Sequence, residues 1–397
     1  MPSPSGWRRM LTLFTLASFI EVIAYGQLAA FTPLHLPTIG VAPDDVPIAV
    51  GLITVGANVI GLLFLPFWGV LADRYGRKPL IIRSFVATGS GLAIAAFARN
   101  VWMFTFARGL TALNLGNSGL MMTTLQESAP AARLGFAFGV VNGAGPLGAF
   151  IGPLVGGPLV DRYGFNVVLA IDAILLALVV AGLTIGYRDA FVPPIAHPPI
   201  FRSAFDGLAL IWRSPRLRAL FPALLILFSG WLLTFAYVPI VVQRIHGEDG
   251  VATAVGIALG ASGLVTLVAS PAIGALADRF GHWRTLYIAA VIDGVLWLLP
   301  WVARDYWPFV IAFAIVSGLG SGVFSLSFNV LASSTTDATR ARVMTFAYLP
   351  LNLAFIVGPG IGTFIVSRDP FLIFPAAMVF TLAGVPLLAA AARRPLG

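Results

Sequence analysis

The sequence predicts an all-α membrane protein with twelve transmembrane helices arranged as two related six-helix bundles. Three observations lead there. The chain is too poor in charge to face water, it holds twelve apolar runs with a proline-rich interval after the sixth, and a ten-residue motif recurs 205 positions downstream. Of 397 residues 58% are hydrophobic and 10% charged, whereas a soluble domain carries about 25% charged residues. Mean hydropathy is +0.93. Such a chain needs lipid around it. It contains no cysteine, which excludes disulfides, thiol chemistry and cysteine-ligated metal. Nothing in it calls for a cofactor or a metal ion.

A bilayer core of about 30 Å takes about 20 apolar residues of helix. Runs of that kind fall at 11–32, 48–71, 80–98, 102–124, 136–158, 167–187, 219–242, 253–276, 286–303, 308–331, 344–366 and 372–392. The first follows Arg8 and Arg9 but is too long for a cleaved leader and lacks a small-residue cleavage site, so it reads as a span. The interval after span six contains Val192-Pro193-Pro194 and His197-Pro198-Pro199, the composition of an extended linker. This divides the chain into an N-terminal bundle (1–187), a linker (188–218) and a C-terminal bundle (219–397). Within the linker Phe201, Phe205, Leu208 and Trp212 recur at helical spacing among Arg202, Asp206 and Arg213, as in a helix lying on the inner leaflet. With both termini inside, eighteen Arg and Lys face the cytoplasm and five face out, which is the positive-inside bias. That distribution accounts for the net charge of +8 without nucleic acid.

The repeat is Gly69-Val-Leu-Ala-Asp73-Arg74-Tyr-Gly76-Arg77-Lys78 after span two, echoed after span eight by Gly274-Ala-Leu-Ala-Asp278-Arg279-Phe-Gly281-His-Trp. Six of the ten positions are identical, and Gly152-Pro153 returns as Gly358-Pro359 at an offset of 206. Paired halves of this kind belong to secondary transporters with a substrate site at the midplane. A shorter relative of the motif, Gly157-Pro-Leu-Val-Asp161-Arg162-Tyr-Gly164, ends span five on the opposite face. The ten-residue segment at 69–78 resembles the loop motif of the major facilitator superfamily, and with the span count the resemblance covers the whole chain. It implies that Asp73 docks on the start of span eleven in the outward-open state. It also implies that Arg77 pairs with an acid at the inner end of span four, where Glu127 stands.

Span five carries Gly139, Gly148, Gly152, Pro153, Gly156 and Gly157 at the spacing of a second motif. It resembles the antiporter motif of that superfamily's drug:proton exporters. Gly148, Gly152 and Gly156 recur at i, i+4 and i+8, making one smooth groove for a neighbouring backbone, and Pro153 deprives the carbonyl of Ala149 of its helical donor. In span four Arg108 keeps the arginine of a further family motif, although Thr111 and Ala112 depart from the rest of it. Charged residues at mid-bilayer mark function or pairing. Three acids lie inside spans, Glu21, Asp172 and Asp293. The latter two sit in spans that support the cavity from outside in this superfamily, and structural pairing is expected for both.

Counting 1.5 Å per residue places Glu21 and Arg108 at similar depth, roughly 18 and 21 Å from the inner interface. If spans one and four face each other, the carboxylate can alternate between a proton, Arg108 and a cationic substrate, although a permanent Glu21–Arg108 pair is the competing reading. Tyr25, Gln27, Asn58, Asn114, Asn142, Trp231, Tyr237, Asn329, Tyr348 and Asn352 are the polar and aromatic candidates for the cavity, with interhelical hydrogen bonding as their alternative role. The expected function is proton-coupled export of lipophilic, often cationic, small molecules by a monomer in a bacterial inner membrane. Transport of a polar metabolite such as a sugar is the alternative. No catalytic constellation and no phosphate-binding G-x-x-x-x-G-K-[ST] loop is present, so neither an enzyme nor an ATP-driven pump is expected.

Overall fold

The computed structural model describes residues 6–130, 133–187, 189, 210–335, 343, 344 and 346–395. Most of the linker, with its expected interfacial helix, lies outside them. The described residues are helical almost throughout, with no strand. In order the helices are α1 (Gly6–His35), α2 (Val46–Tyr75), α3 (Arg77–Ala96), α4 (Val101–Ala112), α5 (Asn117–Ser128), α6 (Leu134–Tyr163) and α7 (Phe165–Gly186), then α8 (Pro215–Phe235), α9 (Val238–His246), α10 (Val251–Phe280), α11 (His282–Leu296), α12 (Leu298–Val302), α13 (Tyr306–Ser333), α14 (Leu349–Val366) and α15 (Ile373–Ala392).

Eleven helical segments among the described residues are long and apolar enough to cross a membrane. The twelfth crossing is span four, expected as one run over 102–124 and found as two helices, α4 and α5. Each has 12 residues, about 18 Å of helix, too short to cross alone. Residues 113–116 unwind between them through successive i→i+3 bonds, such as Leu113 N–H to Leu110 O at 3.2 Å and Leu115 N–H to Ala112 O at 3.2 Å. Gly116 ends the turn at φ +92°, a conformation that costs other residues roughly 1–2 kcal/mol. Spans seven and nine also break, each for a proline: Pro239 stands four residues after Phe235, the last residue of α8, and Pro300 four after Leu296, the last of α11. A proline cannot donate to the carbonyl four residues back.

Within the first bundle α1 packs on α6 and α7, and α3 on α4 and α7; in the second, α8 packs on α14 and α15, and α10 on α13. The ends of both bundles share a face with the chain termini. Lys78 Nζ donates to Thr184 O at 2.7 Å, and Arg216 Nε donates to Arg394 O at 2.8 Å. The bundles meet mainly along α6–α10 and α2–α14, and the close contacts sit in the half away from the termini. A Cβ at Gly256 would lie 2.3 Å from Pro153 O, one at Gly263 2.8 Å from Phe150 Cα, and one at Gly51 1.7 Å from Thr363 Oγ1. Toward the termini, a Cβ at Gly135, Gly139, Gly143 or Gly145 of α6, or at Gly274 of α10, would meet nothing within 4 Å. Among the described residues the bundles are therefore sealed on the face away from the termini and parted on the terminal face.

Candidate functional site

The break in span four brings polar groups to mid-membrane. Glu21 of α1 is buried and accepts a hydrogen bond from Asn114 Nδ2, a side chain of the unwound turn. Asn117, the first residue of α5, is buried beside it. One helical turn along α1, Tyr25 donates to Thr111 O at 2.5 Å. Thr111 is in the last turn of α4, where its carbonyl has lost the i→i+4 donor and accepts a longer bond from Asn114 N–H at 3.3 Å, so the phenol supplies a further donor. Tyr25 is within electrostatic reach of both Glu21 and Arg108. Irregular backbone at membrane depth is tolerated where protein covers it or a cavity lies against it, and transporter sites favour such interrupted helices.

Glu21 and Arg108 do not form an ion pair. Among the described residues the ion pairs are Arg77–Glu127, Arg244–Asp369 and His282–Asp278. Arg108 Nε is buried and finds no hydrogen-bond acceptor among the described residues. The carboxylate is thus held by a neutral amide rather than by a cation of the described residues. Asp172 and Asp293, expected to be structurally paired, are buried with no cation partner among the described residues. Asp293 Oδ1 instead lies behind Gly320 beside Trp231, a Cβ on that glycine being 3.4 Å from the carboxylate and 3.6 Å from the indole.

The other cavity candidates divide. Gln27 is buried and donates to Gly152 O at 3.0 Å, and Asn58 donates to Thr54 O of its own helix at 2.8 Å. Asn142 and Asn329 are exposed, and Asn352 is buried. Tyr237 is fully enclosed, bonded to Pro359 O at 2.7 Å and Thr363 Oγ1 at 2.8 Å. It sits in the seal against α2, where as the cap residue of α9 beside the Pro239 break it packs toward α14. Trp231 and Tyr348 belong to one aromatic row. Phe235 and Trp231 lie 5.9 Å apart, Trp231 and Phe324 6.1 Å, Phe324 and Phe328 5.0 Å, and Phe328 and Tyr348 4.7 Å. The three phenylalanines of the row, Phe235, Phe324 and Phe328, were invisible as candidates because apolar residues are everywhere in such helices.

In span five, Gly148, Gly152 and Gly156 all face α1: a Cβ on them would lie 3.0 Å from Phe19 O, 2.9 Å from Ile23 O and 2.9 Å from Phe31 Cε2. Gly157 faces the other bundle, with Ala252 O 2.5 Å from its would-be Cβ, whereas Gly139 has open space. Pro153 Cδ packs 3.4 Å from the corresponding point of Gly26. In the loop after span two, Arg77 makes a two-pronged bond to Glu127, with Nη2 to Oε1 at 2.6 Å. The backbone N–H groups of Arg77 and Lys78, at the start of α3, donate to Asp189 Oδ2 at 2.8 and 3.0 Å. Asp189 was missed, since nothing in a linker sequence singles out one acid as a helix cap. The surroundings of Gly69, the Asp73 side chain, residues 336–342 just before span eleven, and residue 345 at its start are outside the described set. Arg74 stacks over Tyr75 and Arg279 over Phe280, and Gly76 closes α2.

Twelve crossings in two bundles, interrupted helices and a buried carboxylate at the break define a secondary transporter. The family model for the Major Facilitator Superfamily matches residues 13–292 and 251–396, and the chain belongs to that superfamily. It is 27% identical over 389 residues to the "Multidrug resistance protein MdtG" of Enterobacter lignolyticus (strain SCF1), covering 95% of this chain and 91% of the relative. It is 28% identical to the protein of the same description from Rahnella sp. (strain Y9602), covering 95% and 92%. Among solved structures, the human organic anion transporter MFSD10 (TETRAN) superposes with a TM-score of 0.73 at 18% identity, over 98% of this chain and all of that one. The nucleoside transporter NupG gives 0.78 at 13%, over 97% and 100%. At those identities the likeness is one of fold.

Proposed function

We propose that this protein exports lipophilic, often cationic, small molecules from the cytoplasm in exchange for protons. The observation that carries the reading is Glu21, a buried carboxylate held by Asn114 at the broken crossing with no cation partner among the described residues. A membrane-buried acid of that kind is a proton or cation site by default. The aromatic row of Trp231, Phe324, Phe328 and Tyr348 supports a substrate with an apolar, planar body, since binding sites combine an apolar lining with few directing polar groups. The multidrug description of the relatives at 27–28% identity points the same way. The basic terminal face is cytoplasmic in this reading, so both termini are inside and the state described is open to the cytoplasm. The working unit is a monomer in the inner membrane, divided at 187 and 219.

In alternating access, a cationic substrate entering from the cytoplasm competes with a proton for Glu21. After the bundles rock, a proton from outside displaces the substrate. Asp73 and Arg77 weigh the two states, and the span-five motif supplies the packing surfaces. The test is uptake of a cationic dye such as ethidium into inside-out proteoliposomes driven by an inwardly acid pH gradient. Wild type should concentrate the dye, and Glu21→Gln should only equilibrate it. Uphill accumulation by Glu21→Gln would remove the coupling role.

A further inference from the structure

We infer that Asp161 is a gate residue: the Gly157–Gly164 end of span five is a latch that holds the two bundles together on the face away from the termini by capping the first turn of α10. The inference is independent of the role given to Glu21. Asp161 belongs to the first bundle and α10 to the second. Its Oδ1 accepts from Ala252 N–H at 3.1 Å, and its Oδ2 accepts from Thr253 N–H at 2.8 Å and from the Thr253 hydroxyl at 2.5 Å. These donors are the second and third residues of α10, groups that no helical carbonyl satisfies. Their own cap position is Gly250, which has no side chain to offer. A helix N-terminus also carries partial positive charge that favours an anion. One carboxylate from the opposite bundle therefore does what a serine or aspartate at position 250 would otherwise do within the helix.

The backbone below the latch is shaped for the same contact. A Cβ on Gly157 would lie 2.5 Å from Ala252 O and 2.8 Å from Thr253 Cα, so only glycine lets α6 come close enough for Asp161, one turn on, to reach the helix end. The segment is also a built copy of the loop at the end of span two. Residues 69–76 and 157–164 are identical at six of eight positions. Gly76 and Gly164 share one backbone conformation, φ/ψ 92°/158° and 82°/156°. Each donates its N–H to the carbonyl four residues back, Ala72 at 2.9 Å and Val160 at 2.8 Å. Arg74 stacks on Tyr75 at 5.5 Å, and Arg162 on Tyr163 at 5.4 Å. Inverted three-helix repeats within each half of this fold place spans two and five in corresponding positions with opposite direction. The same sequence and backbone turn thus stand on both faces, and on this face the aspartate caps a helix of the other bundle. Asp161 is exposed, so water can take over its bonds when the face opens, which makes the latch reversible.

The absence of cysteine allows spin labels to be placed on the full chain. Arg99→Cys and Asp305→Cys put labels at exposed positions of opposite bundles on the latched face. Distances between them, in detergent, are read with and without Asp161→Ala. Loss of the latch should move the ratio of closed to open distances about tenfold toward open, equivalent to about 1.4 kcal/mol. Asp161→Asn, which keeps an acceptor oxygen without the charge, should fall between the two. A ratio in Asp161→Ala within twofold of wild type, or a shift toward the closed distance, overturns the inference. Should Asp161→Ala fail to fold, Thr253→Val decides, since it deletes only the hydroxyl bond: a measurable shift toward open supports the latch, and none overturns it.

Discussion

Gly152 was singled out in the sequence for a packing groove and Tyr237 for the substrate cavity, and the structure packs both tightly against neighbouring helices. A Cβ on Gly152 meets the Ile23 backbone at 2.9–3.1 Å, inside the first bundle. Gly152→Val should therefore cost stability, about 1–3 kcal/mol as for overpacked cores, together with transport, and a lowered unfolding temperature in detergent checks it. Normal stability with dead transport would return the residue to the moving surface. Tyr237→Phe gives up bonds to Pro359 and Thr363 worth about 1 kcal/mol each. It should lower the unfolding temperature while leaving dye affinity within twofold; a large affinity loss would put Tyr237 in the cavity. Glu21 and Arg108 were legible because charges in apolar runs stand out. The Asn114 partner of Glu21 was not, because depth along a helix follows from counting residues while the direction a side chain points around the axis does not. Asn114 had been placed in the cavity, yet nothing in its sequence context says that it reaches Glu21.

Span four shows where hydropathy stops being informative. Residues 102–124 pass as one predominantly apolar run, but the helix turns aside at 113–116. The cue was Asn114-Leu115-Gly116-Asn117, which a window average absorbs. Gly116→Ala forces a side chain into φ +92° and should cost roughly 1–2 kcal/mol, with its Cβ also 3.3 Å from Leu65 Cδ1. Thermal unfolding should show that loss, and dye transport should fall with it because the turn carries Asn114. A variant of full stability and activity would mean that span four does not need its break. In spans seven and nine the prolines at 239 and 300 were visible, and the rule that the carbonyl four residues back loses its donor locates both breaks. The glycines of α10 at 256, 260 and 263, which face α6, passed unnoticed because glycine is common in membrane helices.

The twelve crossings, the six-plus-six division and the superfamily were legible because they rest on composition and on motifs carried within the chain. Which face is open was not, since both states share one sequence and differ by the packing of two bundles. Orientation is checked by reporter fusions: those at Arg188 and Arg394 should report cytoplasm and one at Glu248 the outside, and a cytoplasmic Glu248 would refute the topology. Asp73→Asn should lower transport while leaving dye affinity within a few-fold, and normal transport would remove Asp73 from the gate. The central claim is that substrate and proton compete at Glu21. Its most direct measurement is proton release on adding a cationic dye to the purified protein in weakly buffered detergent, for wild type and Glu21→Gln side by side. Wild type should release protons in proportion to bound dye, and Glu21→Gln should bind dye and release none. Equal release from both proteins would contradict the claim.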